Sequence, residues 1–156
     1  MGDLSRRAAM LGMPLAAAGT VAATTSAGLA VVEFTAVRAK NTLPLSPPLG
    51  APFIIYLALR DATGASIGDG SFFGMVVDVT VDIPPKIVVS AKAIFRLPTG
   101  EVHASSMQLW KVPEGGVKHP MAIVGGTGAY ASARGEGTIE HITADMSAVT
   151  LRVVTD

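Results

Sequence analysis

Cysteine is absent from this chain of 156 residues. That excludes a disulfide framework, a cysteine-borne lipid anchor, thiol catalysis and a thiolate-bound metal. Aromatic residues are sparse, at 5 %. Net charge is also lacking: 12 basic residues balance 12 acidic ones. Nothing basic is clustered, so the footprint of a nucleic-acid binder is missing. The three histidines, His103, His119 and His141, are scattered, with no H-x-x-H or H-E-x-x-H, so the sequence specifies no metal site. There is no G-x-S-x-G elbow for a serine nucleophile. No cofactor motif occurs either. Past the N-terminus, no stretch is long and apolar enough to span a membrane.

What is present is apolar and rich in turn formers: 49 % hydrophobic residues, 17 Gly and 10 Pro. This suits many strands joined by turns, in one domain by length. Residues 1–30 stand apart. Arg6 and Arg7 precede a mild Ala/Gly/Leu/Met stretch, and small residues at Thr25–Gly28 offer a cleavage site. The pattern resembles a twin-arginine export signal, so the expected location is outside the cytoplasm. The alternative is a cytoplasmic protein whose retained leader covers one end of the fold.

From residue 31 onward the chain reads as one all-β domain. Strands are expected at Val31–Val37, Phe53–Asp61, about Gly70–Ile83, Ile87–Leu97, a fifth ending near Val112, Lys118–Val124, about Glu136–Thr143 and Ser147–Val154. Alternation is clearest in the fourth. Ile87, Val89, Ala91, Ala93, Phe95 and Leu97 share one face, with Ser90, Lys92 and Arg96 on the other. Eight strands, short turns and no helical period predict an antiparallel up-and-down β-barrel of lipocalin-like shape. Such a barrel holds its own side chains or one small ligand. The third strand is apolar on both faces around Ser71–Val77, so a neighbouring subunit is expected to cover its outer side.

The glycine-rich run Gly125–Gly135 follows the apolar segment Met121–Val124 and precedes an alternating one. Its spacing is neither G-x-G-x-x-G nor G-x-x-x-x-G-K-[ST], and no helix follows, which excludes a phosphate loop. It is a strand-loop-strand corner. Gly125-Gly126-Thr127-Gly128-Ala129-Tyr130, continuing into Ala133-Arg134-Gly135, resembles the corner shared by plant dirigent proteins and allene oxide cyclases. Leu57-Ala58-Leu59-Arg60-Asp61, Gly68-x-Gly70-x-x-x-Gly74, and Phe95 leading through Gly100 to Val102 follow the same family in the same order. The resemblance spans about Phe53 to Val154. It implies an eight-stranded barrel, a trimer (or dimer), and a lumen that folds an apolar molecule and steers ring formation or coupling without a cofactor.

On that resemblance, Asp61 and Arg134 match the dirigent cavity acid and its A-R-G arginine. They are expected at barrel rims, either flanking a ligand or pinning two loops as an ion pair. The third catalytic candidate is His103, whose alternative is a solvent-exposed strand-end histidine. Phe53, Phe72, Phe95 and Met107 are expected to line the apolar depth, with Met75 beside them. Tyr56 falls on the outer face unless a bulge intervenes. Trp110 and Tyr130 read equally as ligand platforms or barrel-end plugs. The glutamate of allene oxide cyclases, expected near Ile55 or Leu57, has no counterpart between Phe53 and Arg60. The expected function is therefore a cyclase or isomerase for a polyketide-, terpenoid- or lipid-derived substrate. The alternatives are an exported carrier of a small hydrophobic ligand, a dirigent-like coupling guide, and a barrel filled by its own side chains.

Overall fold

Residues 22–26, 28–111 and 116–156 are described by the computed structural model. A short strand β1 (Ala22–Ser26) leads into β2 (Leu29–Asn41), β3 (Pro52–Arg60), β4 (Ser66–Val79) and β5 (Ile87–Leu97). Next come β6 (Gly100–Trp110), β7 (Val117–Gly126), β8 (Arg134–His141) and β9 (Met146–Val154). Each strand pairs antiparallel with the next. β2 also pairs β9, from Leu29 opposite Val154 to Val37 opposite Met146, which closes β2–β9 into an eight-stranded barrel. The all-β meander barrel expected from the alternation is the fold observed. β1 adds to the edge of β2 along residues 29–33, beside the point where the β3 pairing begins at Thr35.

Period-two burial explains the closure. β5 matches its expected bounds, with Ile87, Val89, Ala91, Ala93, Phe95 and Leu97 all buried. Phe53, Ile55, Leu57 and Leu59 do the same on β3, and Val149, Leu151 and Val153 on β9. These inward sets form one continuous core. Bulges between Arg38 and Lys40, Leu59 and Arg60, Val76 and Asp78, and His103 and Ala104 bend the strands as closure requires.

Several expected boundaries differ: β2 runs Leu29–Asn41 where Val31–Val37 was expected, and β8 runs Arg134–His141 where about Glu136–Thr143 was expected. β4 begins at Ser66 and ends at Val79, instead of running from Gly70 to Ile83. Residues 80–86 form a loop held by the Thr80 N–H, which donates to the Lys86 carbonyl at 2.8 Å. Pro84 and Pro85 cannot donate to a ladder, so the strand stops short of them. Ala22–Ser26, placed in the leader by sequence, is strand; Arg6, Arg7 and the stretch after them lie outside the described residues.

The turns sort into two ends. Residues 61–65, 98–99 and 127–133 make the corner end. Residues 42–51, 80–86 and 142–145 make the loop end. At the corner, Gly126 ends β7, a 3-10 turn covers Gly128–Tyr130, and β8 starts at Arg134. Gly128 takes φ of 61°, and a Cβ there would come within 2.5 Å of the Thr99 carbonyl oxygen, so only glycine lets these two turns touch. Among the described residues no helix is long and apolar enough to cross a membrane.

Candidate functional site: a buried polar network at the loop end

Asp61 and Arg134 occupy the same end of the barrel but do not pair with one another. Asp61 extends the inward phase of β3 and is buried. Its Oδ1 accepts from the Thr63 N–H (2.9 Å), the Thr63 hydroxyl (2.6 Å) and the Ala65 N–H (3.0 Å). The Thr63 hydroxyl is the largest influence holding its carboxyl below the usual value; burial pushes the other way. The aspartate thus closes its own turn. Arg134 is exposed and pairs with Asp156 at 2.8 Å. Arg134→Ala is expected to shift the melting temperature by under about 2 °C, as an exposed pair contributes little. Asp61→Ala, which strips three hydrogen bonds from the exposed turn that this buried carboxylate closes, is expected to lower it by about 4 °C or more. Thermal melts of the two variants side by side check both.

Several other candidates face outward. The His103 ring bonds Glu101 at 2.9 Å on the outer face. Met75 and Met107 are 47 % and 69 % exposed, so neither lines the interior as expected. The reason is phase: Val102, Ala104, Gln108 and Trp110 take the inside of β6, which turns His103, Met107 and Leu109 out. Tyr56 is also outside, as its alternation indicates. Its hydroxyl donates to Asp69 at 2.7 Å, and Arg96 grips the same carboxylate at 2.7 and 2.6 Å. Arg96 and Tyr56 together hold Asp69 at about 2. Tyr130 packs part-buried against the core at the corner.

Phe53, Phe72, Phe95 and Trp110 do point inward. Phe95 meets Phe34 edge-to-face at 5.1 Å. Phe53, Phe72 and Trp110 form a separate cluster, with ring centroids 5.6–6.2 Å apart.

Beside that cluster, at the loop end, lies a polar network that the sequence reading missed. Arg38 follows Phe34 and Ala36 in the inward phase of β2. Gln108 is inward on β6, His119 on β7, His141 on β8 and Ser147 on β9, all four buried. Arg38 Nη2 donates to His141 Nδ1 at 3.4 Å, and the guanidinium sits 5.9 Å from the Trp110 ring centroid. Ser147 Oγ lies 2.9 Å from the same Nδ1. A guanidinium only donates, so Nδ1 carries the lone pair and the imidazole proton belongs on Nε2. Nε2 in turn faces Gln108 Oε1 at 3.5 Å, which also accepts from Trp110 Nε1 at 2.7 Å. Gln108 Nε2 continues to Ser106 Oγ (3.1 Å), whose hydroxyl donates to the Pro120 carbonyl (2.6 Å).

Burial pushes His141 down to about 4, helped by Arg38 and His119, so the ring is neutral at pH 7. It offers a hydrogen-bond acceptor and a donor without a charge of its own. The His119 and His141 rings stand 5.3 Å apart. They lie far apart in sequence, but β7 and β8 pair Val117 with His141 and His119 with Ile139. Alternation was the available signal, since His119 shares a face with Met121 and Ile123, and His141 with Ile139. Among the described residues no group of three or more His, Asp or Glu gathers as a metal site.

A niche of about 10 Å³ is lined by residues that include Arg38, Phe72, Trp110, His141 and Ser147. Phe53, Phe72 and Trp110 pack on one another in the interior, where the sequence reading expected a ligand. A larger recess, of about 840 Å³, lies outside on β4–β6 against Phe73, Met75, Val77, Lys92 and Met107.

No family model and no curated protein sequence matches the chain. Solved structures do. A pyocyanin demethylase superposes with a TM-score of 0.65 at 22 % identity, over 78 % of this chain and 98 % of its own. An exo-specific intermolecular Diels–Alderase, AbnU, gives 0.59 at 13 % identity, over 80 % and 97 %. The pterocarpan synthase dirigent protein GePTS1 gives 0.59 at 13 %, over 86 % and 94 %. The chain thus has the fold of the cyclase and dirigent barrels, at identities that establish architecture alone.

Proposed function

We propose that this barrel is a cyclase or isomerase for a small apolar molecule, acting at the loop end. The observation that carries the reading is the inward-facing network of part-buried Arg38 with buried Gln108, His119, His141 and Ser147, against Phe53, Phe72 and Trp110. Buried polar groups are costly unless they are satisfied, and five inward polar side chains gathered at one end are hard to explain as packing. Substrate enters by displacing the aromatic side chains, chiefly Trp110 and Phe72. The aromatic wall then restricts its conformers, and restriction of this kind contributes several kcal/mol to ring closure. Arg38 polarises an oxygen on the substrate, and neutral His141 takes or gives a proton nearby. The neighbouring cyclase and dirigent folds are in keeping with such a role.

The test is incubation with conjugated polyene and polyketide-type precursors, followed by chromatography and mass spectrometry. A cyclase returns a product of unchanged mass at a new retention time. Arg38→Gln should lower turnover at least tenfold while the β-sheet circular dichroism stays intact. A co-purified ligand recovered unchanged, with no turnover, would instead favour the carrier.

The outer recess supports a second proposal, self-association. Ile54, Phe73, Met75, Met107 and Leu109 are 44–69 % exposed on the outside of β3–β6, and a homo-oligomer such as a trimer would cover them. Met107→Asp is expected to reduce the mass measured by light scattering to that of one chain. For localisation, the proposal is export through Arg6 and Arg7. Lysine at both positions should leave the precursor in the cytoplasm.

A further inference from the structure

We propose that the loop end of the barrel docks on a lipid bilayer, with the aliphatic tips of its loops set into the acyl layer. The proposal goes beyond the functional reading above, because docking requires only the tips, whether or not the barrel turns a ligand over.

Exposure marks the surface. Leu45 and Leu49 on the 42–51 loop are 100 % and 68 % exposed, and Val81 and Ile83 on the 80–86 loop are each 99 % exposed. Ile142 on the 142–145 loop and Met146 at the start of β9 are also exposed. The corner end is the contrast: its turns, residues 61–65, 98–99 and 127–133, carry no exposed large hydrophobic side chain. Single exposed apolar residues are ordinary, but side chains almost free of protein contact and gathered at one end mark an interaction surface.

Both loops are anchored at their roots, which holds the tips out. The Lys86 N–H donates to the Thr80 hydroxyl at 2.9 Å, and the Gly50 N–H to the Val76 carbonyl at 2.8 Å. Pro44, Pro47, Pro48, Pro84 and Pro85 restrict the backbone between these anchors, so less freedom is lost when the tips are buried.

Shape and charge favour lipid as the occupant. The tips stand on separate loops instead of forming one continuous face. A fluid acyl layer accepts such side chains singly, whereas a protein would need a pocket for each. The charges beside them come in both signs: Asp82 pairs with Lys86 at 3.5 Å and Lys118 with Glu140 at 4.0 Å, while Lys40, Asp78 and Asp145 lie at neighbouring strand ends. That balance complements a zwitterionic headgroup layer, and attraction then follows the apolar area buried rather than anionic lipid.

The test is flotation of the full chain with phosphatidylcholine vesicles, at low and at high salt. Binding is expected at both. Ile83→Asp should lower it at least tenfold, and Leu45→Asp likewise, whereas Val124→Asp, on the outer face of β7 and 63 % exposed, should leave it unchanged. The tips are free of packing, so the β-sheet circular dichroism should survive both loop substitutions. Depth is read with Ile83→Trp: brominated acyl chains should quench the new indole, with the unsubstituted chain, whose single tryptophan is buried Trp110, as the blank. No binding to phosphatidylcholine, binding to anionic vesicles alone that high salt removes, or loop variants that bind as well as the unsubstituted chain would each overturn the proposal. So would a fall in the mass of the free protein on Ile83→Asp with the vesicles left empty, which would assign the tips to a second copy of the chain. Vesicle binding without turnover of any precursor would fell the cyclase reading and leave this one standing.

Discussion

Phe95→Ala is expected to lower the unfolding free energy of the barrel by about 3–5 kcal/mol, the range for truncating a fully buried aromatic ring. Phe95 has no solvent exposure and packs edge-to-face on Phe34 across the interior. Gly70 lies opposite it on β4, where a Cβ would come within 3.4 Å of the ring, so the glycine leaves the space the ring fills. Gly70 brings no side chain of its own to close the hole. Urea unfolding, read as a shift in midpoint at constant slope, checks the value. A loss below about 1 kcal/mol would mean that the interior relaxes around the cavity, contrary to a tightly filled barrel.

Acidification should be nearly as damaging. His141 titrates at about 4 in the folded chain against 6.5 ordinarily, because burial, then Arg38 and His119, disfavour its charged form. Between those two values the unfolded chain binds a proton that the folded chain refuses. Stability is therefore full above pH 6.5, falls as pH drops toward 4, and levels off below. The loss amounts to up to about 3 kcal/mol at 1.36 kcal/mol per pH unit. Asp69 and Asp61 have lowered values and lose their contribution only at lower pH, from the ordinary carboxylate value downward, so the two windows separate. Urea midpoints at pH 7, 5.5 and 4 measure the effect. His141→Gln, which cannot titrate, should flatten the curve across that window; an unchanged slope would assign it to another group.

The strands were legible wherever one face is buried and the other wet. β5 is the clear case, because six inward positions in strict alternation admit one register. β4 was less legible because Phe72 and Phe73 are both apolar, so hydrophobicity could not mark its ends; pairing with β3 and β5 sets them. That Asp61 and Arg134 sit at barrel rims was legible, since one ends a strand and the other begins one; that the rims coincide depends on strand order, and their partners were not legible either. β3 and β8 are not neighbours in the sheet, and each residue satisfies itself locally. The polar network was missed for the opposite reason. Its members come from five strands with no motif spacing, and only the inward phase of each strand unites them. On β6 both faces carry polar groups, and phase alone could not say whether His103 or Gln108 looks inward.

The seam between β2 and β9 has a consequence for how the chain folds. Every other ladder of the barrel joins strands consecutive in sequence, whereas this one joins Leu29 to Val154 and Val37 to Met146. Hairpins close short loops, while the seam must close nearly the whole domain, with the larger entropy that this entails. The seam is accordingly expected to zip last. Substitutions that weaken it, such as Leu151→Ala, should accelerate unfolding and leave the refolding rate almost unchanged. Hairpin substitutions in β5 and β6 should slow refolding instead.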